Sequence, residues 1–264
     1  MRRLLAILVL AAVLPAGTAE AENVRFPSVA VGSAAAGPEI GGWLYRPRGA
    51  GPFPAIVLAH TCGGVSPHTD VWGKLLSGWG YVTVAPDSFG PRGENQVCTK
   101  PGTITGNMRV ADVAGALDFL SAQPFVIKGR IGLIGHSHGG GTTVRAAQKA
   151  FGLAGRGLRA GVAYYPPCFP QFDREVDVPL LILTGDKDDW TPADNCRRLQ
   201  AAGFTRPELV EAVYYPNAYH SFDSQAPDRT VPGGGGRSHR LAYDPAAGPA
   251  AEARTRAFFE KYLR

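Results

Sequence analysis

The chain has 264 residues, 45% of them hydrophobic, and 27 Lys and Arg against 22 Asp and Glu give a formal net charge of +5. That apolar share, with few charges, suits a sizeable core. The basic residues are scattered, with no Lys/Arg run, which excludes the electrostatic footprint of a nucleic-acid binder.

Met1-Arg2-Arg3 precedes an unbroken apolar run, Leu4 to Leu14, and then come Pro15, Gly17 and the small-residue pattern Ala19-Glu20-Ala21. Charge, apolar core and cleavage site in that order predict a secretory signal peptide over 1–21, cut near Ala21. The run is shorter than the roughly 20 apolar residues a bilayer span needs. No later stretch is long enough either, so the product over 22–264 is expected to be one periplasmic or secreted domain with no stable membrane span. Its four cysteines, Cys62, Cys98, Cys168 and Cys196, are an even count in an exported chain and predict two disulfides.

Beyond the leader the pattern alternates strand and helix. Ile40 to Tyr45 reads as a strand, then Pro54 to His60, which stops at Gly63-Gly64. Ser66 and Pro67 suit the N-cap and first position of a helix that Gly80 closes. Tyr81 to Ala85 is the next strand. Val110, Val113, Leu117 and Leu120 share one face of a helix over 108–120. Strands follow at Arg130 to Gly135, Ala160 to Tyr165, Pro179 to Thr184 and Leu209 to Tyr215. Helices follow at His138 to Phe151, Pro192 to Ala202 and Ala250 to Leu263. Short apolar strands separated by helices predict an α/β domain, a mostly parallel sheet covered on both faces. A long stretch, Ser221 to Pro249, carries the low-complexity patch Gly233 to Gly236. A loop that long in a compact domain is usually functional or mobile.

Gly135-His136-Ser137-His138-Gly139 matches G-x-S-x-G. The pattern is weak by itself, but here it directly follows an apolar strand and directly precedes a helix. That is the setting of the nucleophile elbow of α/β-hydrolases, with Ser137 as nucleophile. A serine hydroxyl needs a base to take its proton, and in this fold the base comes last in the chain with the acid between. His220, a short turn after the strand VEAVYY, is the candidate base. His138 lies on the elbow itself and His239 in the Gly-rich stretch. The acid is expected just past the strand LLILTG, where Asp186, Asp188 and Asp189 all qualify. Asp188, four residues before the helix-starting Pro192, is preferred. Negative charge developing on the carbonyl oxygen calls for backbone N–H donors, expected from His138 and from Cys62 in the loop after the strand PAIVLAH. Pairing Cys62 with Cys98 would brace that loop, and pairing Cys168 with Cys196 would brace the acid loop. His136 and His138 flank a tight turn and lack ligand spacing, so no metal is expected.

The stretches HTCGG (60–64), GYVTVAPDSFGPRG (80–93), IGLIGHSHGGG (131–141), LTGDKDDWTP (183–192) and YPNAYHSFD (215–223) together resemble the dienelactone hydrolase family. The resemblance implies an eight-stranded α/β-hydrolase sheet, hydrolysis of small-molecule esters or lactones without a cofactor, and the triad Ser137, Asp188, His220. It departs at the nucleophile: the family's namesakes use cysteine where this chain has Ser137. Only about a dozen residues, Pro166 to Val178, separate two strands where many lipases insert a lid, so no cap domain is expected. A peptidase or acyltransferase on the same fold, and a binding protein that kept the fold, stay open as alternatives.

Overall fold

The computed structural model describes residues 21–264. Residues 1–20, and with them nearly all of the expected leader, lie outside the described residues. Eight strands form one sheet: β1 (Glu22–Pro27), β2 (Glu39–Tyr45), β3 (Phe53–Ala59), β4 (Val82–Pro86), β5 (Val126–His136), β6 (Leu158–Tyr164), β7 (Leu180–Gly185) and β8 (Val210–Tyr215). Their spatial order is β1-β2-β4-β3-β5-β6-β7-β8. From β4 to β8 every pair is parallel, whereas β1 and β2 join antiparallel at one edge.

The strands are apolar on both sides because both sheet faces are covered. Ala55, Val57 and Ala59 of β3 face one layer, and Ile56 and Leu58 face the other. Helices α2 (Gly106–Ser121), α3 (His138–Ala146) and α4 (Ala193–Ala202) pack on the first side through Val110, Val144 and Leu199. Helices α1 (Pro67–Gly78) and α5 (Ala247–Leu263) cover the second with Trp72, Leu76 and Phe259.

The predicted elements recur within a few residues, with three differences. Strand β1 was not foreseen: its alternating, mostly exposed sequence ENVRFP buries only Phe26. The helix expected over 138–151 ends at Ala146, and a short 3₁₀ turn over Lys149–Phe151 follows. The stretch 221–249 is not featureless, since β9 (Arg229–Pro232) pairs antiparallel with β10 (Ser238–Leu241). No helix among the described residues is long and apolar enough to cross a membrane. No inserted domain separates β6 from β7, and the 166–178 segment stays a short connection. Cys62 is bonded to Cys98 and Cys168 to Cys196.

Candidate active site

Parallel strands bring all their carboxyl ends to one edge of the sheet, and chemistry in open α/β folds gathers there. Ser137 follows the end of β5, Asp188 the end of β7 and His220 the end of β8. The turn at Ser137 is sharp, with φ 56° and ψ −115° in a residue other than glycine. Such a conformation costs of order 1–3 kcal/mol and is kept only where neighbours enforce it. Two glycines make the bend possible. A Cβ on Gly135 would lie 2.1 Å from the Gly139 carbonyl oxygen, and one on Gly139 would lie 2.1 Å from that of Ala59.

The three side chains form an unbroken chain. His220 Nε2 lies 2.9 Å from Ser137 Oγ, and His220 Nδ1 lies 2.8 Å from Asp188 Oδ2. All three residues are buried. Thr191 Oγ1 donates to Asp188 Oδ2 at 2.9 Å and also sits 3.2 Å from His220 Nδ1. The N–H groups of Trp190 and Thr191 both donate to Asp188 Oδ1 at 2.9 Å. Burial pushes the Asp188 carboxyl up, but the His220 charge and hydrogen bond and those two amides outweigh it, and the group is held below the usual carboxylate range. The competing aspartates lead elsewhere: Asp186 pairs with Arg197, and Asp189 lies 3.4 Å from His239. His239 stacks on Trp190, whose ring also packs against His220.

Neither the Cys62 nor the His138 backbone N–H has a hydrogen-bond partner among the described residues, and both residues line the cleft that exposes Ser137. Sequence reasoning missed what ties them together. Arg109 of α2, 1% exposed, donates through Nη2 to the His60 carbonyl and through Nη1 to His138 Nδ1, each at 2.8 Å. One guanidinium thus spans the loop before Cys62 and the residue after Ser137. Burial pushes Arg109 down to about 9, so it is still a cation at neutral pH. Replacing it with Met is expected to cut kcat about 10- to 100-fold with little change in KM, a smaller loss than deleting an oxyanion donor outright. Steady-state kinetics normalised to titrated active sites checks this, with Arg109→Lys recovering part of the loss.

Beneath the elbow, Asp223 accepts hydrogen bonds from Tyr165 Oη at 2.7 Å, His68 Nε2 at 2.8 Å and Trp72 Nε1 at 2.9 Å. With His136 this is a group of metal-ligand type, ligand atoms within 4.8 Å of one another. Trp72 and Tyr165 already donate to the carboxylate, so the donor set fits a hydrogen-bonded hub better than a cation site. The Tyr165 ring in turn packs 4.6 Å from that of His220.

Burial also keeps three histidines neutral. His136 and His138 are each pushed down to about 3, and His60 lies well below its ordinary value. The unfolded chain takes up these three protons near pH 6.5 and the folded one does not, so stability falls as pH drops below that value. Asp173, which burial pushes up to about 6, binds its proton first in the folded state and opposes the trend with one proton. The net of roughly two protons predicts a loss of about 2–3 kcal/mol per pH unit between pH 6 and 4. Urea unfolding at pH 7.5 and 5.5 measures it, and equal midpoints would contradict it.

Sheet order, the bend at Ser137 and the chain from hydroxyl to imidazole to carboxylate define the class: an α/β-hydrolase. The dienelactone hydrolase family profile matches residues 40–263. A carboxymethylenebutenolidase-like protein of Yersinia pestis is 24% identical over 71% of this chain and 76% of its own. The cutinase of Thermobifida alba is 26% identical over 59% of this chain, which spans about half (49%) of that protein. A dienelactone hydrolase-like promiscuous phosphotriesterase from metagenomic libraries superimposes with a TM-score of 0.71 at 22% identity, covering 94% of this chain and 100% of that one. The chain belongs to the dienelactone hydrolase family and is a carboxylic ester hydrolase.

Proposed function

We propose that the protein is an exported serine hydrolase that cleaves carboxylic esters or lactones through an acyl-enzyme. Ser137 Oγ attacks the carbonyl carbon while His220 Nε2 takes its proton. Asp188 fixes the tautomer of His220 and stabilises the imidazolium. The Cys62 and His138 N–H groups receive the oxyanion. His220 then hands the proton to the leaving alcohol, and water repeats the sequence to release the acid. The observation that carries the reading is the continuous hydrogen-bond chain Ser137–His220–Asp188 beside an open cleft of about 570 Å³. Export is supported by the leader-like first 21 residues and the two disulfides. The test is labelling of the purified protein with a fluorophosphonate probe, together with turnover of short- and medium-chain p-nitrophenyl esters and a lactone panel. Rapid labelling with ester turnover is expected. A protein that neither labels nor turns over any ester would instead be a binding protein on this fold.

A further inference from the structure

The cleft beside Ser137 has a chemically distinct far end. Ser137, Gly141 and Arg145 follow one another at intervals of four residues, Ser137 at the N-cap of α3 and the other two within it, and all three line the cleft. Residues spaced this way share a helix face. Eight residues of helix span about 12 Å, and helical side chains lean back toward the N-terminus, so the Arg145 guanidinium lies on the order of 8–10 Å from the hydroxyl. Gly141, between them, puts no side chain on the floor.

The wall is apolar and aromatic. Phe169 and Phe172 line the cleft and are 43% and 59% exposed. Large apolar side chains gathered at the surface mark a place where something binds. The Phe172 ring lies 5.2 Å from Arg145 Cζ. Arg145 Nε sits 3.7 Å from Asp173 Oδ1, too long for a hydrogen bond, and its guanidinium makes no hydrogen bond to a protein group among the described residues. Asp173 is buried, with Oδ2 taken by the Phe169 N–H and Oδ1 left without a partner. The carboxylate therefore lies beside the Nε edge of the guanidinium and leaves the Nη fork unengaged. That fork matches a carboxylate in geometry and charge. Across the cleft, the first turn of α2 (Thr105, Gly106, Asn107) adds the positive end of a helix.

We propose that Arg145 is an anion subsite and that the substrates are esters whose apolar arm ends in a carboxylate about 8–10 Å from the scissile carbonyl. The inference rests on Ser137 being the nucleophile and names the substrate class for that site. The arm stacks along Phe169 and Phe172 and its terminal carboxylate meets the Nη fork of Arg145.

The experiment compares matched esters within one enzyme preparation, so that any inactive fraction cancels. The acyl-side pair is mono-4-nitrophenyl suberate and 4-nitrophenyl nonanoate. The alcohol-side pair is 4-acetoxycinnamate and 4-acetoxycinnamamide. In at least one pair the charged member should have the higher kcat/KM, by about tenfold or more, as expected for a hydrogen bond to a charged group. That ratio should fall to about one in Arg145→Met, be intermediate in Arg145→Lys, and rise in Asp173→Asn, which removes the competing carboxylate. Wild-type ratios at or below one in both pairs, or a preference that survives Arg145→Met, overturn the subsite and leave the hydrolase reading standing. Failure to turn over even the neutral members, with no phosphonate labelling, overturns that reading and the subsite with it.

Discussion

Replacing Ser137 with alanine is expected to lower kcat by about 10⁵- to 10⁶-fold, the scale seen when a triad serine is removed. The loss is that large because the attacking atom itself goes; what remains is the contribution of binding and the oxyanion donors. His220→Ala should cost about as much, and the double variant hardly more, because hydroxyl and imidazole act as one unit joined at 2.9 Å. Full additivity in the double variant would mean that the two do not cooperate. The strained bend supplies a second readout. At φ 56° and ψ −115° any Cβ is unfavourable, so Ser137→Gly should be as inactive as Ser137→Ala yet more stable than the native chain by about 1 kcal/mol. A thermal melt separates the two variants. Equal melting points would show that the bend stores no strain.

Much of this arrangement is legible in the sequence, for a physical reason. Strands β3 to β7 are buried on both faces, so they read as apolar runs whatever their neighbours are, and the candidate nucleophile and acid, Ser137 and Asp188, follow the ends of two of them, β5 and β7. Glu22–Pro27 is different. It lies at the sheet edge, pairs antiparallel with β2, and only Phe26 of its six residues is buried. Nothing in a strand so exposed announces its partner. The hairpin at Arg229–Leu241 has the same character, four-residue strands that mostly face solvent.

Within the site the legible residues are those placed by chain order. Arg109 is not among them. An arginine on a helix face ordinarily lies at the surface, and only tertiary structure shows this one buried between His60 and His138. Arg145 is hidden likewise: its value comes from what α3 packs beside, Phe172 and Asp173. Thr191 was closer to view, inside the stretch that holds the acid. A hydroxyl three residues after a loop aspartate is a signal that could have marked it as that aspartate's partner.

Asp188→Asn should reduce kcat about 10⁴-fold while leaving the fold intact, because the loss is one of tautomer rather than shape. Ionised Asp188 accepts from His220 Nδ1, which leaves Nε2 as the lone-pair acceptor facing Ser137 Oγ. In the amide variant the Trp190 and Thr191 N–H groups still need an acceptor at the Oδ1 position. They turn the amide oxygen toward themselves and the NH₂ toward the imidazole. Nδ1 must then accept, the proton moves to Nε2, and the ring presents a donor to a hydroxyl it should deprotonate. The His220 charge and hydrogen bond, with the same two amides, outweigh burial and hold the native carboxyl below the ordinary carboxylate range. The acidic limb of the pH–rate profile should therefore persist in shape in Thr191→Val, which removes one of several stabilising contacts, and should not report Asp188. Asp186 and Asp189 are the controls. Asp186 is engaged by Arg197, and Asp189 lies near His239, so their Asn variants should stay within about threefold of native kcat, as expected for loop substitutions off the hydrogen-bond chain. If either control carried the large loss while Asp188→Asn stayed within tenfold of native, the acid would be the neighbour and the tautomer argument would transfer to it.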